Sequence, residues 1–241
     1  MNVCFVASEV VPYAKTGGLA DVSGALPKYL ARYGCDVRVF LPLYNMVEMQ
    51  KYNLRPVDSM QRIGLQFGGR WIHFSVWGGT LPDSNARVFL IDCPELYHRG
   101  SVYTDSADEY LRFALLSKAA IECCQRMEFA PDIMHCNDWQ TGLIPLMLKT
   151  IYSWDRLFNR TRTVLTLHNV AYQGVFSANT IDVVGMGEYR LRFDNDDLRY
   201  GVVNWMKTGI FYADAITTVS KTYAKEIRTA EGGAGIDSFL R

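Results

Sequence analysis

The apolar positions of this chain fall into short runs divided by polar, glycine-bearing stretches. Val3 to Ala7 is continuously apolar and brief, the pattern of a strand buried on both faces of a parallel sheet. Val22 to Tyr33, rich in Ala, Leu and Tyr, reads as a helix with Gly34 as its stop. Pro27 lies inside it, so either a kink there or a separate short turn before it is expected. Asp36 to Leu41 reads as the second strand, and residues 42–56 as an irregular polar connection with Pro42 and Pro56 at its ends. Gln61 to Phe67 and Trp71 to Trp77 both alternate apolar with polar positions and flank Gly68-Gly69-Arg70. Alternating runs around a Gly-Gly pair predict a β-hairpin, here an antiparallel insertion at the sheet edge. Arg87 to Ile91 follows as another strand.

Farther on, Ser106-Ala107-Asp108-Glu109 has the spacing of a capping box. It would open a helix whose stripe of Ala107, Leu111, Ala114, Leu115 and Ile121 faces the core. Asp132 to Cys136 and Thr163 to Leu167 read as strands, with Asn137-Asp138 capping a helix from Trp139 onward. Leu198 to Tyr212 reads as a helix, Ala215 to Val219 as a strand, and Ser220 as the cap of a last helix. Helices alternate with strands through most of the chain. That order predicts an α/β fold, a doubly wound and mostly parallel Rossmann-like sheet with a β-hairpin insertion.

Composition narrows the function. Half of the 241 residues are apolar and a fifth are charged, enough for one sizeable core. Lys plus Arg and Asp plus Glu both number 25, and no basic run occurs, which removes support for nucleic acid as a partner. No apolar run approaches the roughly 18 residues of a membrane span. Glu9, Lys15 and Asp21 interrupt the apolar N-terminus too early for a signal peptide, so no membrane partner and a cytoplasmic location are expected. Cys4, Cys35, Cys93, Cys123, Cys124 and Cys136 form no C-x-x-C pair, and the four histidines are scattered. Reduced, mostly buried thiols are expected, with no metal and no cofactor.

The candidate chemistry concentrates in Ser8 to Asp21, between the first strand and the first helix. A strand, a glycine turn and a helix N-terminus in that order attract anions, phosphate above all. Gly17 and Gly18 allow either a close ligand approach or a positive φ, and Lys15 adds a mobile charge. The lysine precedes the glycines, which excludes the Walker A order, and G-x-G-x-x-G is absent. On these residues alone, a phosphate site and a plain solvated loop are equally good readings. Asp21 has two readings as well, a helix cap or a ligand contact. Asp138, His168 and Tyr97 sit at or near predicted strand ends, where ligands of open parallel sheets bind.

Beyond the generic pattern, Lys15-Thr16-Gly17-Gly18-Leu19-Ala20-Asp21-Val22, opened by Ser8-Glu9-Val10-Val11-Pro12, resembles the start of bacterial glycogen synthases and plant starch synthases. Leu167 to Gly174, Lys207 to Asp214 and Thr217 to Ile227 continue the resemblance, which covers nearly the whole chain. Asn137-Asp138-Trp139-Gln140 is similar to the family's His-Asp-Trp-His, with Asn137 and Gln140 in place of histidines. These enzymes are retaining glucosyltransferases with two facing Rossmann-like domains (the GT-B arrangement). The resemblance implies that residues 1–241 are the N-terminal domain and that the C-terminal nucleotide-binding domain, an implied partner, is absent from this chain. It implies glucose transfer from a nucleotide-glucose, ADP-glucose in bacteria, to the end of an α-1,4-glucan acceptor. The location it implies is cytoplasmic, or plastid in a plant.

By the same resemblance Lys15, Asp138 and His168 are the catalytic candidates. Lys15, Gly17, Gly18, Asp21, Tyr97, Asp138, His168 and Asn169 are the substrate-binding ones. Lys15 would meet the diphosphate, Asp138 a sugar hydroxyl, His168 and Asn169 the transferred glucose, and Tyr97 the glucan subsite. Arg99 follows Tyr97 with His98 where the family carries Asp. The implied mechanism is front-side displacement, with the departing phosphate taking the acceptor's proton and no carboxylate nucleophile. Another retaining GT-B transferase, such as a sucrose-synthase-like enzyme, and a non-catalytic glucan-binding module remain as alternatives.

Overall fold

The computed structural model describes residues 1–241. Its strands are β1 (Asn2–Val6), β2 (Asp36–Pro42), β3 (Arg55–Pro56), β4 (Ile63–Phe67), β5 (Arg70–Thr80), β6 (Arg87–Asp92), β7 (Ile133–Asn137), β8 (Arg162–Leu167), β9 (Val175–Ser177), β10 (Val202–Asn204) and β11 (Ala215–Thr218). The helices are α1 (Gly18–Arg32), α2 (Pro94–Tyr97), α3 (Glu109–Arg126), α4 (Ile144–Lys149), α5 (Thr180–Val183), α6 (Asn195–Arg199), α7 (Trp205–Tyr212) and α8 (Lys221–Glu226).

Six strands in the order β11-β8-β7-β1-β2-β6 pair in parallel. The doubly wound, mostly parallel sheet expected from the alternation of elements is therefore present. The apolar run after Met1 forms its centre: Cys4, Phe5 and Val6 are wholly buried between β2 and β7. The hairpin is present too. β4 and β5 pair antiparallel around Gly68-Gly69, and β5 continues along β6 to extend the sheet. No helix is long and apolar enough to cross a membrane.

Four local expectations change. α1 begins at Gly18 and runs through Pro27 to Arg32, so no separate turn forms. Pro27 lies on the buried face with Leu19, Ala20, Ser23 and Gly24, and packing of that face outweighs the local cost of proline. The capping box does not form, because Glu109 accepts from the Thr104 backbone N–H at 3.1 Å and pairs with Arg112 at 2.8 Å. Arg112 is fully buried, and a buried guanidinium needs its counter-charge more than a helix end needs its cap. The segment 198–212 divides: Gly201 takes a left-handed φ of 72°, and Val202–Asn204 leave helical geometry to pair with β9. Asn204 then caps α7 through the Lys207 N–H at 2.9 Å. Asp138 caps nothing; Trp139–Thr141 form one 3₁₀ turn, and α4 follows only at Ile144.

Candidate functional site

From β1 the parallel sheet builds outward through β2 and β6 on one side and through β7, β8 and β11 on the other. The order reverses between β1 and β7, and ligands of such sheets bind in the crevice outside the carboxyl ends of the strands at that reversal. The chain leaving β1 supplies residues 7–18, that leaving β7 supplies Asp138, and that leaving β8 supplies His168 and Asn169. Hydrogen bonds tie the three tips together. Asn137 Nδ2 donates to Val6 O at 3.0 Å, and the His168 backbone N–H donates to Asp138 Oδ1 at 2.7 Å.

In the first loop the turn over Lys15 to Gly18 closes on the carboxylate of Glu9, which is buried. Glu9 Oε2 accepts from the backbone N–H groups of Thr16 and Gly17, and Oε1 from the hydroxyls of Thr16 at 2.8 Å and Tyr103 at 2.5 Å. Lys15 and Asp21 are exposed and pair with each other at 2.7 Å, so Asp21 does not cap α1. Gly17 has an extended φ of −149°, and neither Gly17 nor Gly18 has a positive φ. A Cβ at either would meet nothing within 4 Å. Left-handed geometry therefore does not explain the glycine pair, and the space beside both is open.

Asp138 is the residue most at odds with its surroundings. Its φ is 55° and its ψ −172°, a conformation that costs a non-glycine residue on the order of 1–3 kcal/mol. Burial pushes its carboxyl up to about 7, against the lowering effect of hydrogen bonds from the His168 and Asn169 backbone. Beside it, burial holds the His168 imidazole down at about 4, so the ring is neutral at pH 7. Asn137 decides which tautomer it adopts. Its Nδ2 is committed to Val6 O, so its Oδ1 faces His168 Nε2 at 3.0 Å and accepts a hydrogen bond from the Nε2–H. His168 Nδ1 then carries the free lone pair, buried and without a partner. A neutral ring with a bare acceptor takes a hydroxyl's hydrogen bond and is a poor proton donor.

Tyr97 is fully buried, donates its hydroxyl to Arg112 O at 2.7 Å, and packs edge-on against Tyr44, away from the tips of β1, β7 and β8. Arg99 is engaged by Asp108 at 2.6 Å and by Glu95 O. Asn169 accepts from the Ala171 N–H at 3.0 Å and shapes the turn after β8. Trp139 packs against Phe113, Phe176 and Trp205, as expected of a core residue, and Gly174, at φ 64°, leaves no room for a Cβ against its ring. Glu9, Tyr103 and the orienting role of Asn137 are site features that the sequence did not single out. One signal for Glu9 was there: an acidic residue shortly after a central strand and before a glycine turn is placed to take the turn's N–H groups. A depression of about 500 Å³ along β11, lined by Ile216, Ala224, Ile227 and Leu240, gathers none of these groups. The tips of β1, β7 and β8 are where polar chemistry converges.

The family model described as the starch synthase catalytic domain matches residues 2–241. Curated glycogen synthases from Geotalea uraniireducens, Streptococcus agalactiae and Thermotoga maritima are 42%, 41% and 38% identical over 100% of this chain. The chain covers 49%, 50% and 50% of those proteins and so spans about half the length of the curated relatives it matches. Among solved structures, the catalytic domain of Starch Synthase IV from Arabidopsis thaliana, bound to ADP and acarbose, aligns with a TM-score of 0.89 at 35% identity. That alignment covers 99% of this chain and 49% of the other.

Proposed function

The chain belongs to the starch synthase catalytic domain family, and from that premise we propose that residues 1–241 are the N-terminal domain of a retaining glucosyltransferase. The complete protein transfers glucose from a nucleotide-glucose to the non-reducing end of an α-1,4-glucan. A C-terminal nucleotide-binding domain, about as long as this chain, faces the tips of β1, β7 and β8 across a cleft. ADP-glucose is the proposed donor, supported by the ADP bound in the Arabidopsis neighbour. The reaction is proposed for the bacterial cytoplasm, or the plastid of a plant cell.

The observation that carries this reading is convergence: Lys15, Asp138 and His168, far apart in sequence, stand in the connections leaving β1, β7 and β8, which flank the sheet's order reversal. Lys15 breaks its exposed pairing with Asp21 at little cost and meets the diphosphate, whose charge grows as the glycosidic bond breaks. Gly17 and Gly18 let that diphosphate lie against the backbone. Asp138 accepts a hydrogen bond from a sugar hydroxyl, with His168 and Asn169 shaping the wall beside it. The departing phosphate takes the acceptor's proton, so the chain needs no nucleophile of its own and acts by position and charge.

Two experiments test the reading. Residues 1–241 alone are expected to incorporate no labelled glucose into glycogen, while the full-length protein elongates it and prefers ADP-glucose to UDP-glucose. Transfer by the 241-residue chain would overturn the division of labour. Gly18→Ala in the full-length protein is expected to leave the melting temperature unchanged or slightly raised, because the added methyl meets no protein atom. Affinity for the nucleotide sugar should fall roughly tenfold, the effect of one obstructed contact. Unchanged affinity, measured by calorimetry, would remove the diphosphate from this backbone.

A further inference from the structure

Glu9 sits three residues beyond β1 and is 2% exposed. Four donors converge on its carboxylate: the Thr16 and Gly17 N–H groups on Oε2, and the Thr16 and Tyr103 hydroxyls on Oε1. Tyr103 has one hydroxyl proton and gives it to Glu9. Ser8 Oγ therefore donates the 2.8 Å bond that joins the two hydroxyls. Tyr44, fully buried, donates to Ser8 O at 2.9 Å. One buried group thus ties the exposed Lys15 turn to the segments that follow β2 and β6.

Hydrogen bonds to an ionised acceptor are about twice as strong as neutral ones, and this acceptor is shielded from water. The N–H groups of Thr16 and Gly17 are already taken by it. The next N–H groups, those of Gly18 and Leu19, belong to the first turn of α1 and have no intrahelical acceptor.

We propose that Glu9 is a positioning residue for the donor site: it holds the Lys15–Gly18 turn in the one orientation that directs the Gly18 and Leu19 N–H groups and the Lys15 ammonium at the diphosphate of a nucleotide sugar. Glu9 touches no substrate. The inference rests on the function proposed above and assigns a role to a residue outside its contact set. The Glu9 charge also acts on Asp138 and His168, raising the pKa of each and coupling the turn to the sugar-side groups.

Two readouts on the full-length protein separate the clamp from the chemistry: amide hydrogen exchange at Thr16 and Gly17, and glucosyl transfer. Glu9→Ala is expected to speed exchange at both amides roughly 10²-fold and to lower kcat/KM for the nucleotide sugar by about the same factor. Glu9→Gln restores part of the protection, a neutral acceptor holding the amides more weakly than an ionised one. Its side-chain oxygen takes the two amides while its NH₂ donates to the Thr16 and Tyr103 hydroxyls, which rotate to accept. Transfer should recover about tenfold over Glu9→Ala, a rescue that loss of charge alone would not permit. Tyr103→Phe removes one donor without opening a cavity and gives intermediate exchange, which keeps the test alive should Glu9→Ala not fold. Unchanged exchange in both Glu9→Ala and Tyr103→Phe overturns the clamp, as does Glu9→Gln behaving like Glu9→Ala. A wild-type protein that protects both amides yet transfers no glucose overturns the function and supports the clamp.

Discussion

Asp138→Asn is expected to make the full-length protein a poorer enzyme and, above pH 7, a more stable protein. The stability half follows from proton linkage. Burial raises the folded-state pKa of Asp138 from 3.8 to about 7, so the folded chain binds this proton more tightly than the unfolded chain does. The stabilisation this provides is fully present below about pH 4 and is lost as pH rises through about 7. Above that, an ionised carboxylate is held in a site that disfavours it. Asparagine keeps the acceptor for the His168 N–H and carries no charge to bury. Three pKa units correspond to on the order of 4 kcal/mol, the upper limit of the gain at pH 8. At about 2–4 °C per kcal/mol for a unit of this size, that is on the order of 10 °C in the melting of this half of the protein. Calorimetry at pH 4, 6 and 8 should show the difference opening as pH rises. A variant no more stable than wild type at pH 8 would mean that Asp138 bears no such burden. The activity half follows from losing an anionic acceptor for a sugar hydroxyl, worth about 1.5–3 kcal/mol, hence roughly 10²-fold in kcat/KM. The positive φ and the buried carboxyl of Asp138 each lower the stability of the fold.

Asp138 also shows where a sequence is legible and where it stops. Asp138 and His168 were proposed because each stands just beyond an apolar run of strand character, and Lys15 because a glycine turn follows such a run; both are local information. The sheet was readable for the same reason: Val3–Ala7, Asp36–Leu41 and Thr163–Leu167 carry their burial in their composition. The direction of Tyr97 was not readable, because it depends on Arg112 and Tyr44, whose arrival beside it is a tertiary event. The Glu9 clamp needs Tyr103, 94 residues away, and nothing in either neighbourhood announces the other. The helix expected over 198–212 failed on competition: Val202–Asn204 gain a partner strand, β9, from the turn after β8. In each failure a distant segment outbid the local preference, and the site is assembled from such distant contacts.

Lys15→Ala in the full-length protein is expected to leave folding intact and lower kcat by about 10²–10³-fold, the scale on which a preorganised donor to a developing charge acts. Folding is spared because Lys15 and Asp21 are more than half exposed, and an exposed pair contributes about 0–1 kcal/mol. The loss should appear in kcat more than in KM, since the charge on the leaving diphosphate grows only as the bond to glucose breaks. Glucan affinity should hold, because Lys15 is assigned to the donor and not the acceptor. Lys15→Arg should recover only part of the loss, a planar fork being a poor substitute for a compact ammonium at this turn. The measurement pairs steady-state transfer from ADP-glucose with retention of the protein on immobilised glycogen. Full turnover with weakened retention would reassign the turn to glucan binding and turn this half of the molecule into a carbohydrate-binding module. Lost turnover with full retention requires that the ammonium act on the bond being broken.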